Sequence, residues 1–567
     1  MIVDRIVPAS AASRLEAAGL HPVLARVLAG RGVNNPAQLS TDLAGLHPPA
    51  LMRGLDEAAT LLADAIEAQA ALLVIADYDC DGATACAVAI RGLRMMGAHV
   101  DYLVPNRFET GYGLTPELVE LALKHPRLGT PDLLLTVDNG IASLAGARAA
   151  QDAGLALLIT DHHLPGPELP SADAIVNPNA GGCRFPSKSI AGVGVMFYVL
   201  IALRAELRNR GADGADAPLA QLLDLVALGT VADVVRLDPN NRLLVAQGLK
   251  RIRGGKSHPG LQALFAVAAR EARSASAQDL GFAIAPRINA AGRLGDMSIG
   301  IECLLADQHE HASSLAQLLN ELNQQRRDVE SGMQAEALAA LEFTTAAPGR
   351  SIVVSQPDWH QGVIGLVAGK LKERFHRPVI ALAPASTEDD VWLRGSGRSI
   401  PGVHLRDCLD LVAKRLPQAI DRFGGHAMAA GLTLRADALE AFTAALEQAI
   451  ADLSDPAVFV QQLETDGELD PARVDHALLD AFEQTVWGQG FPSPSFHSVV
   501  RVLTQRSVGS GHLKLSLSAG SGQPIEAIWF GRTQPAPDTM RAVWQPIRNE
   551  WQGRTRIELQ ILHGEPV

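Results

Sequence analysis

The sequence has no long apolar run, few aromatic residues and no surplus of basic ones. Although 47% of its 567 residues are hydrophobic, no apolar run reaches the roughly 18 to 20 residues that span a bilayer. Aromatic residues make up only 4% of the chain, and the net charge of -13 would repel a polyanion at long range. Composition therefore predicts a soluble protein without membrane spans. It also argues against nucleic-acid binding unless local charge outweighs it.

Cysteine is also scarce. The chain has five cysteines, an odd number, and no two of them form a C-x-x-C pair. This spacing favours reduced, structural thiols over a disulfide framework or a zinc site. The first ten residues lack the basic start, apolar stretch and small-residue cleavage site of a secretory signal, so we expect a cytoplasmic protein.

The chain is instead a succession of segments with different periodicity, which at this length predicts a multidomain α/β protein. Residues 1–50 are an Ala- and Leu-rich helical segment. In residues 51–300 short apolar runs alternate with helix-length stretches, as in a parallel sheet. Leucines at helical spacing predict a long connecting helix in residues 301–345. Residues 346–455 form a second α/β region, and the alternating, turn-rich pattern of 456–567 predicts a small all-β barrel or sandwich.

Acidic and imidazole residues follow three of the four predicted parallel strands, which are 71–76, 99–104, 132–137 and 155–160. Open α/β sheets place their active sites at the carboxyl ends of such strands, so we expect these side chains to lie together. On extended chain, the three carboxylates of the first cluster would point the same way. The clusters are Asp77-Tyr78-Asp79-Cys80-Asp81-Gly82, Asp138-Asn139-Gly140 and Asp161-His162-His163.

So much negative charge requires a cation, and Asp233, after an apolar helix, offers a further ligand. Oxygen ligands with one or two imidazoles and no thiolate suit manganese or magnesium better than zinc. Singly, each cluster has another interpretation. The first resembles a calcium loop, but Val88 stands where an EF-hand has glutamate. Asp138-Asn139-Gly140 is a common turn, and a His-His pair is often packing. All of them at strand ends predict a metal centre.

Local positive charge is concentrated between Arg242 and His258, where no acidic residue interrupts the sequence. Such a stripe can follow a phosphate backbone. A solvated basic face explains it equally well. The stripe contains Arg242, Lys250, Arg251, Arg253 and Lys256, with Arg287 and Arg293 a short way downstream.

Together the motifs resemble, in order and spacing, those of the RecJ exonucleases of the DHH phosphoesterase superfamily. Beyond the three clusters above, the matching segments are Pro105-Asn106-Arg107, Gly229-Thr230-Val231-Ala232-Asp233, Pro286-Arg287-Ile288-Asn289-Ala290-Ala291-Gly292-Arg293 and Gly424-Gly425-His426-Ala427-Met428-Ala429-Ala430-Gly431. They span roughly residues 70 to 435. The family commonly has alanine at the position of Cys80, which is a mild departure.

The resemblance implies a DHH catalytic domain, a long helix leading to a DHH-associated substrate-binding domain, and a C-terminal OB-fold. It implies a 5′→3′ exonuclease specific for single-stranded DNA, which releases 5′-mononucleotides by two-metal hydrolysis in DNA recombination and repair. The expected cofactors are two Mn²⁺ or Mg²⁺ ions per site. The expected partners are single-stranded DNA, a single-strand-binding protein and a helicase, and we expect a monomer that does not bind membranes.

By the same resemblance, five residues are direct metal ligands: Asp79, Asp81, Asp138, His162 and Asp233. Asp77, Asp161 and His163 are ligands or close supporters, and His163 has the alternative role of orienting the scissile phosphate. Arg107, Ser396 and Arg398 are expected to hold the 5′-terminal phosphate, for which the planar guanidinium is well shaped.

Further substrate contacts follow from the resemblance, and here alternatives stay open. Phosphates near the metals would contact Arg287, Asn289 and Arg293. Gly424, Gly425 and His426 would allow close approach of the strand, although their motif alone could equally be a tight helix start. In the C-terminal β region, base stacking competes with the more common interpretation that aromatic residues are core. The residues concerned are Trp529, Phe530, Trp544 and Trp551, with Arg501, Arg506, Lys514 and Arg532 near the backbone.

Two other functions are compatible with parts of this pattern. A DHH phosphoesterase for pyrophosphate, short oligonucleotides or cyclic dinucleotides would share the metal site, but it would lack the motif around Arg287 and the β region. A DHH fold that has lost catalysis can act as a replication scaffold. The complete set of carboxylates and histidines argues against that second alternative.

Overall fold

The computed structural model describes the chain except residues 107–110, 343–348, 386–390, 510, 520–522 and 552–553. Contacts divide it into a larger unit, residues 2–292, 296–320 and 464–567, and a smaller unit, residues 1, 293–295 and 321–463. In the described part of the chain, no helix is both long and apolar enough to cross a membrane. Short 3₁₀ turns lie at Pro36–Leu39, Leu43–Gly45, Pro49–Leu51, Leu219–Leu222, Ala272–Ser274, Ala436–Ala438, Pro456–Phe459 and Pro471–Arg473.

The larger unit begins with a short strand and two helices, followed by a five-stranded sheet and its helices. The elements are β1 (Ile2–Asp4), α1 (Ala9–Ala17), α2 (Pro22–Ala29), α3 (Leu55–Glu67), β2 (Ala71–Ala76), α4 (Cys80–Met95), β3 (His99–Leu103), α5 (Pro116–Ala122), β4 (Leu133–Val137), α6 (Leu144–Asp152), β5 (Ala156–Thr160) and β6 (Ala174–Val176). The strand order is β3-β2-β4-β5-β6, and all pairs are parallel.

This sheet confirms the predicted parallel architecture, because the four predicted strands are β2 to β5. Of these, β2, β4 and β5 are apolar and almost fully buried, as expected for strands covered by helices on both faces, while the edge strand β3 contains His99 and Asp101. The chain leaves β2 for β3 on one side and then returns to β4 on the other. The carboxyl ends of β2 and β4 therefore meet at a topological switch point, where such sheets bind ligands.

Helices complete this part of the larger unit: α7 (Gly192–Arg210), α8 (Leu223–Ala232), α9 (Pro239–Arg253), α10 (Pro259–Val267), α11 (Ala277–Asp279), α12 (Ala285–Leu294) and α13 (Ser298–Leu305). A π-helical turn, Leu280–Ile284, joins α11 to α12. The predicted long helix is α14 (His309–Glu342), which begins in the larger unit and ends in the smaller one.

The smaller unit contains a mixed sheet with the strand order β10-β11-β9-β8-β7. Only β7 and β8 are parallel. One face packs on α16 and α17, and the other carries α15 together with Met333 and Ala337 of α14. The elements are β7 (Ile352–Ser355), α15 (Ile364–Phe375), β8 (Val379–Pro384), β9 (Trp392–Arg398), α16 (Leu405–Arg415), β10 (Ile420–Gly425), β11 (Ala429–Arg435) and α17 (Leu439–Leu453).

The C-terminal region returns to the larger unit and forms a closed five-stranded barrel with the order β13-β14-β15-β17-β16. Before the barrel, β12 pairs with β1. Of the two predicted alternatives, barrel or sandwich, the barrel is present. The elements are β12 (Leu463–Thr465), α18 (His476–Gln484), β13 (Phe496–Val508), β14 (His512–Ser518), β15 (Ile525–Trp529), β16 (Thr539–Trp551) and β17 (Arg554–Pro566).

Candidate metal centre

The first acidic cluster lies between β2 and α4. Asp77 is buried just after the strand, and Asp79 caps α4 by accepting the N–H of Gly82 at 3.0 Å. Asp81 is already inside the first turn of α4. The expectation of three carboxylates on extended chain was therefore wrong, because Asp79 starts the helix. The third carboxylate instead approaches α7, where its oxygens accept the N–H groups of Gly192 and Val193 at 2.6 and 3.0 Å.

Asp138 reaches the same place from the end of β4. Its backbone adopts a left-handed conformation, with φ 63°, and its N–H donates to the carbonyl of Thr160 on β5 at 3.1 Å. A Cβ added at Gly192 would lie 2.3 Å from Asp138 Oδ1. Glycine at the start of α7 therefore leaves the room that this carboxylate occupies.

His162 and Asp233 complete the cluster from the end of β5 and of α8. His162 Nε2 lies 3.1 Å from Asp138 Oδ1 and 3.4 Å from Asp233 Oδ2. All three atoms are buried, and none has a hydrogen-bond partner among the described residues. Buried polar atoms are almost always hydrogen-bonded. Three orphaned acceptors converging on one point are explained by a cation that they share.

The pKa values of the clustered carboxylates and of His162 show that positive charge is lacking at this point. Burial, together with the charge of Asp79, raises the pKa of Asp81 to about 7. Burial and then the charge of Asp81 raise the pKa of both Asp138 and Asp233 well above the usual range. Burial lowers the pKa of His162 to about 4, so its imidazole is neutral and able to act as a ligand. A divalent cation would reverse the carboxylate shifts, because it stabilises their charged form.

The donor set fits a hard divalent ion. Three groups of side chains offer ligand atoms within 4.8 Å of one another. They contain carboxylate oxygens and imidazoles but no thiolate, which suits manganese or magnesium. The groups are Asp77, Asp79 and Asp138; Asp81, His162 and Asp233; and Asp138, His162 and His163.

Asp161 differs from the other acidic residues because three protein donors surround one of its oxygens, Oδ1. Oδ2 accepts the N–H of Ile141 at 2.9 Å, and Oδ1 accepts the N–H of His162 and of His163. Oδ1 is also 2.7 Å from Nδ1 of His163. Burial alone would raise the pKa of Asp161, but the hydrogen bond with His163 and its charge lower it.

Comparison with known proteins identifies the family. Protein-family models match three segments: the DHH family N-terminal domain at residues 71–230, the DHHA1 domain at 349–452 and the RecJ OB domain at 465–563. The single-stranded-DNA-specific exonuclease RecJ of Escherichia coli (strain K12) is 46% identical over 566 residues, or 97% of each chain. The chain belongs to the RecJ family.

Solved RecJ structures agree with this assignment. The crystal structure of Thermus thermophilus RecJ in complex with Mn²⁺ aligns with 100% of this chain, and the alignment includes 79% of the RecJ chain. The TM-score is 0.82 and the sequence identity is 29%. Its complex with Mg²⁺ gives a TM-score of 0.76 at 27% identity, over 100% of this chain and 78% of that one. The DHH, DHH-associated and OB regions that the sequence predicts are therefore those of a RecJ-family chain.

The sequence analysis did not identify several residues that contact the candidate ligands His162 and His163. Asn177 and Asn179, in a loop after β6, donate their amides to the carbonyls of His163 and His162 at 2.9 and 2.6 Å. Tyr112 places its hydroxyl 3.4 Å from both ring nitrogens of His163. The Val-Asn-Pro-Asn sequence after a short apolar run was the available signal for the asparagines, while Tyr112 had none.

Two of the residues that the sequence predicts to contact phosphates, Arg287 and Asn289, lie on α12 in the larger unit. Asn289 accepts the N–H of Cys80 at 2.9 Å and so touches the first acidic loop. A Cβ at Gly292 would lie 2.0 Å from the carbonyl of Tyr78, which shows how closely α12 packs on that loop. Arg287 donates to Asn320 at 3.0 Å and to the carbonyl of Ala283.

The other described residues that were predicted to contact the substrate lie in the smaller unit. Arg293 donates to the carbonyl of Gly362 at 3.2 Å. Ser396 and Arg398 lie two residues apart on β9, where Arg398 Nη1 is 3.1 Å from Ser396 Oγ. A Cβ at Gly365, near the start of α15, would meet both side chains within 3.1 Å. Arg107 lies outside the described residues.

The glycine-rich motif forms a β-hairpin, which excludes the alternative of a helix start. Gly424 and Gly425 end β10, and His426 opens the turn into β11 by donating its N–H to Ala429 at 2.8 Å. Gly425 has φ 131° and faces the backbone of β11 so closely that a side chain would clash. The exposed Gly424 pairs with the exposed Gly431, leaving bare backbone on the sheet.

In the barrel, the core interpretation holds for two of the four aromatic residues. Trp544 is fully buried and donates to Ser498 at 2.8 Å, and Trp529 is buried as well. Neither can stack on a base. Phe530 is half-exposed, and the side chain of Trp551 lies outside the described part. Lys514 pairs with Glu558, while Arg501 and Arg506 are exposed.

Proposed function

We propose that this protein is a metal-dependent exonuclease that digests single-stranded DNA from the 5′ end and releases 5′-mononucleotides. The observation that carries the proposal is the convergence of three buried, unpartnered atoms on one point, Asp138 Oδ1, His162 Nε2 and Asp233 Oδ2. It occurs in a chain 46% identical to a single-stranded-DNA-specific exonuclease. DNA recombination and repair are the processes that use this activity.

Mn²⁺ or Mg²⁺ is the cofactor. We assign one ion to Asp77, Asp79 and Asp138 and a second to Asp81, His162 and Asp233, since each set gathers its ligand atoms within 4.8 Å. The oxygens of Asp81 that accept N–H groups keep a second lone pair for a ligand bond. When bound, the two ions would activate a water molecule and neutralise charge on the attacking and leaving oxygens.

Asp161 and His163 act beside the ions. Burial lowers the pKa of His163, but the hydrogen bond and charge of Asp161 outweigh that effect and raise it to about 9. The imidazole donates through Nδ1 to the Asp161 carboxylate. We assign it to orienting the scissile phosphate through its other nitrogen. Asp161 belongs to none of the three ligand groups, and three protein donors surround its Oδ1. We therefore assign it to positioning the two histidines instead of binding an ion.

The 5′ end is held by Ser396 and Arg398, with Arg107 as an expected third member. Burial lowers the pKa of Arg398, whose guanidinium donates to Ser396 Oγ and to the carbonyl of Gly397. It lies beside the start of the 12-residue helix α15. A helix N-terminus and a guanidinium together favour a phosphate. Holding the terminal phosphate sets the direction of digestion.

Replacing Arg398 with alanine is expected to weaken the preference for 5′-phosphorylated over 5′-hydroxyl oligonucleotides about 10- to 100-fold, the range of charge-assisted hydrogen bonds. Arg398→Lys should keep part of the preference, because lysine retains charge but loses the fork. The measurement is kcat/KM on matched oligonucleotides. Arg435→Ala is the control, since that arginine pairs with Asp437 on the surface. An unchanged preference in Arg398→Ala would show that the phosphate is held elsewhere.

The other substrate residues are assigned to the path of the strand. Asn289 and Arg287 lie on α12, which packs against the first acidic loop, and we assign them with Arg293 to phosphates near the ions. Gly424 and Gly425 end β10 without side chains, and Gly424 and His426 are exposed. A strand of DNA can approach such backbone closely.

Digestion of end-labelled DNA tests the whole proposal. Single strands labelled at the 5′ or 3′ end, and the corresponding duplexes, are incubated with Mn²⁺, Mg²⁺ or chelator. We expect the 5′ label to appear at once as a mononucleotide, duplexes to resist and chelator to stop the reaction. Release of the 3′ label first would contradict the polarity. Faster hydrolysis of pyrophosphate or dinucleotides than of long DNA would favour a small-substrate phosphoesterase.

An enzyme that needs single strands depends on other proteins to expose them. We propose a helicase and a single-strand-binding protein as its partners in the cytoplasm, with the enzyme itself a monomer. Sedimentation of the purified chain, alone and with each candidate, measures both the oligomeric state and complex formation.

A further inference from the structure

Phe282 is an anomaly on the surface of the larger unit. Its side chain is 81% exposed, while Leu280, Ala283 and Ile284 around it are buried. A single exposed leucine or valine on a protein surface is ordinary. A phenylalanine this open to water, in a helical stretch that hides its other apolar side chains, calls for a contact that the protein alone does not provide.

The backbone at Phe282 is unusual as well. Residues Leu280–Ile284 form a π-helical turn between α11 and α12. Such turns contain an extra residue relative to an α-helix, and they are frequent at functional sites. Within this turn Phe282 is exposed, while Leu280, Ala283 and Ile284 are buried.

Residues Gly281 and Asn289, before and after Phe282, lie close to segments that contain candidate metal ligands. At one end, a Cβ on Gly281 would lie 3.2 Å from Val231, two residues before Asp233. At the other end, Asn289 accepts the N–H of Cys80, between Asp79 and Asp81. Phe282 lies between these two contacts.

A second exposed apolar side chain directly follows one of the candidate metal ligands. Val234, directly after Asp233, is 62% exposed and has φ 58°. A β-branched residue rarely adopts a left-handed backbone conformation, and such strain is concentrated at functional sites. Val234 thus presents apolar surface directly after the candidate ligand Asp233, and Phe282 follows the glycine that approaches Val231 of the same segment.

We propose that Phe282 stacks on a nucleobase of the substrate strand next to the metal centre, a positioning role that rests on the proposed function. When the sugar–phosphate backbone of the substrate lies at the ions, its bases lie beside the backbone and can contact the adjacent protein surface. A phenyl ring accepts any base because every base has a π-face, which suits an enzyme that digests without regard to sequence. Val234 provides flanking apolar contact.

The test measures binding of a fluorescent oligonucleotide in chelator, so that cleavage does not interfere. Phe282→Ala is expected to weaken binding about 5- to 100-fold, the range of one base–aromatic stack. Phe282→Trp should bind at least as well as the wild type, while Phe282→Leu should lose most of the effect of the ring. The control is Leu121→Ala on α5, which also removes an exposed apolar side chain. With Mn²⁺, KM should rise in Phe282→Ala while kcat changes less than about threefold.

An abasic scan separates stacking from other roles. Oligonucleotides lacking one base at successive positions from the 5′ end should show one position at which the wild type loses affinity and Phe282→Ala does not. Equal losses in both proteins at every position, or wild-type binding by Phe282→Ala, would overturn the proposal. Digestion of unmodified DNA by the wild type reports separately on the proposed function. A wild type that neither binds nor digests single strands would overturn both.

Discussion

Replacing Asp138 with asparagine is expected to lower the rate of DNA cleavage on the order of 1,000-fold or more, since the site loses an anionic ligand and part of its electrostatic stabilisation of the transition state. The fold should survive. Asp138 has φ 63°, and asparagine tolerates this conformation at least as well as aspartate. The measurement is single-turnover cleavage of a labelled single strand with saturating Mn²⁺.

The same substitution should make the metal-free protein more stable. Asp138 Oδ1 lies among buried acceptors with no donor between them, and burial with the charge of Asp81 already raises the pKa of Asp138. An asparagine amide removes one charge and supplies an N–H for Asp233 or His162. We expect a gain of about 1 to 2 kcal/mol in chelator, within the range for replacing buried charges.

Mn²⁺ should separate the two proteins further. Binding to the folded wild type stabilises it by about 2.7 kcal/mol at an ion concentration 100 times the Kd, and this increment should be largely lost in Asp138→Asn. Thermal unfolding with and without Mn²⁺ measures it. The control is Asp152→Asn, the same chemical change at an exposed position on α6. Cleavage within tenfold of wild type in Asp138→Asn, or a metal-free variant less stable than wild type, would mean that the protein itself satisfies this carboxylate.

The convergence of the candidate metal ligands could be predicted because it follows from local patterns. Apolar runs with intervening helices predict parallel strands, and the carboxyl ends of such strands meet at one edge. Asp138 and His162 each follow a run of this kind. Their meeting therefore needs no knowledge of distant contacts. The order of the motifs then identified the family, which covers the smaller unit and the barrel as well.

The detailed geometry could not be predicted, because it depends on packing between elements distant in sequence. Asp81 turns toward α7 because the helix N-terminus supplies two N–H groups more than 100 residues later. Gly192 leaves space for Asp138, but a glycine at a helix start has many possible causes. The π-helical turn before α12 likewise has no reliable sequence signal. In the barrel, alternation could not show whether Trp529 and Trp544 face inward, since the register decides it.

The role of the N-terminal segment, residues 1–50, could not be predicted, because no pattern in its sequence indicates one. In the structure, Arg31 at the end of α2 forms a bidentate pair with Asp466, at 2.6 and 2.9 Å, and both side chains are almost fully buried. Its other N–H groups donate to the carbonyls of Val27, Pro492 and Ser493. All five donors of the guanidinium are thus used. The guanidinium also lies 5.3 Å from the ring centroid of Trp487. A segment without chemistry of its own therefore anchors the start of the barrel region.

Arg31→Ala is expected to destabilise this anchoring by about 3 kcal/mol, the lower end of the range for breaking a buried ion pair. The buried Asp466 carboxylate loses its bidentate partner and keeps only Arg5, whose Nε lies 3.5 Å from Oδ1. Arg31→Lys should recover only part of the loss, since an ammonium has three donors and no fork. Urea unfolding followed by hydrogen exchange in β12 and the barrel strands measures the effect where it arises. The surface variant Arg14→Ala, whose side chain bonds only the carbonyl of Asn34 in the described structure, is the control and should change stability by less than about 0.5 kcal/mol.

A double-mutant cycle decides whether the pair itself carries the effect. If burial of an unpaired charge is the cause, Arg31→Ala combined with Asp466→Asn should be more stable than the sum of the two single losses predicts. Metal-dependent cleavage of short oligonucleotides should persist, because Arg31 lies far along the chain from every ligand and contacts none of them among the described residues. Additive losses, or an Arg31→Ala protein as stable as Arg14→Ala, would show that β1, α1 and α2 anchor the barrel region by packing alone.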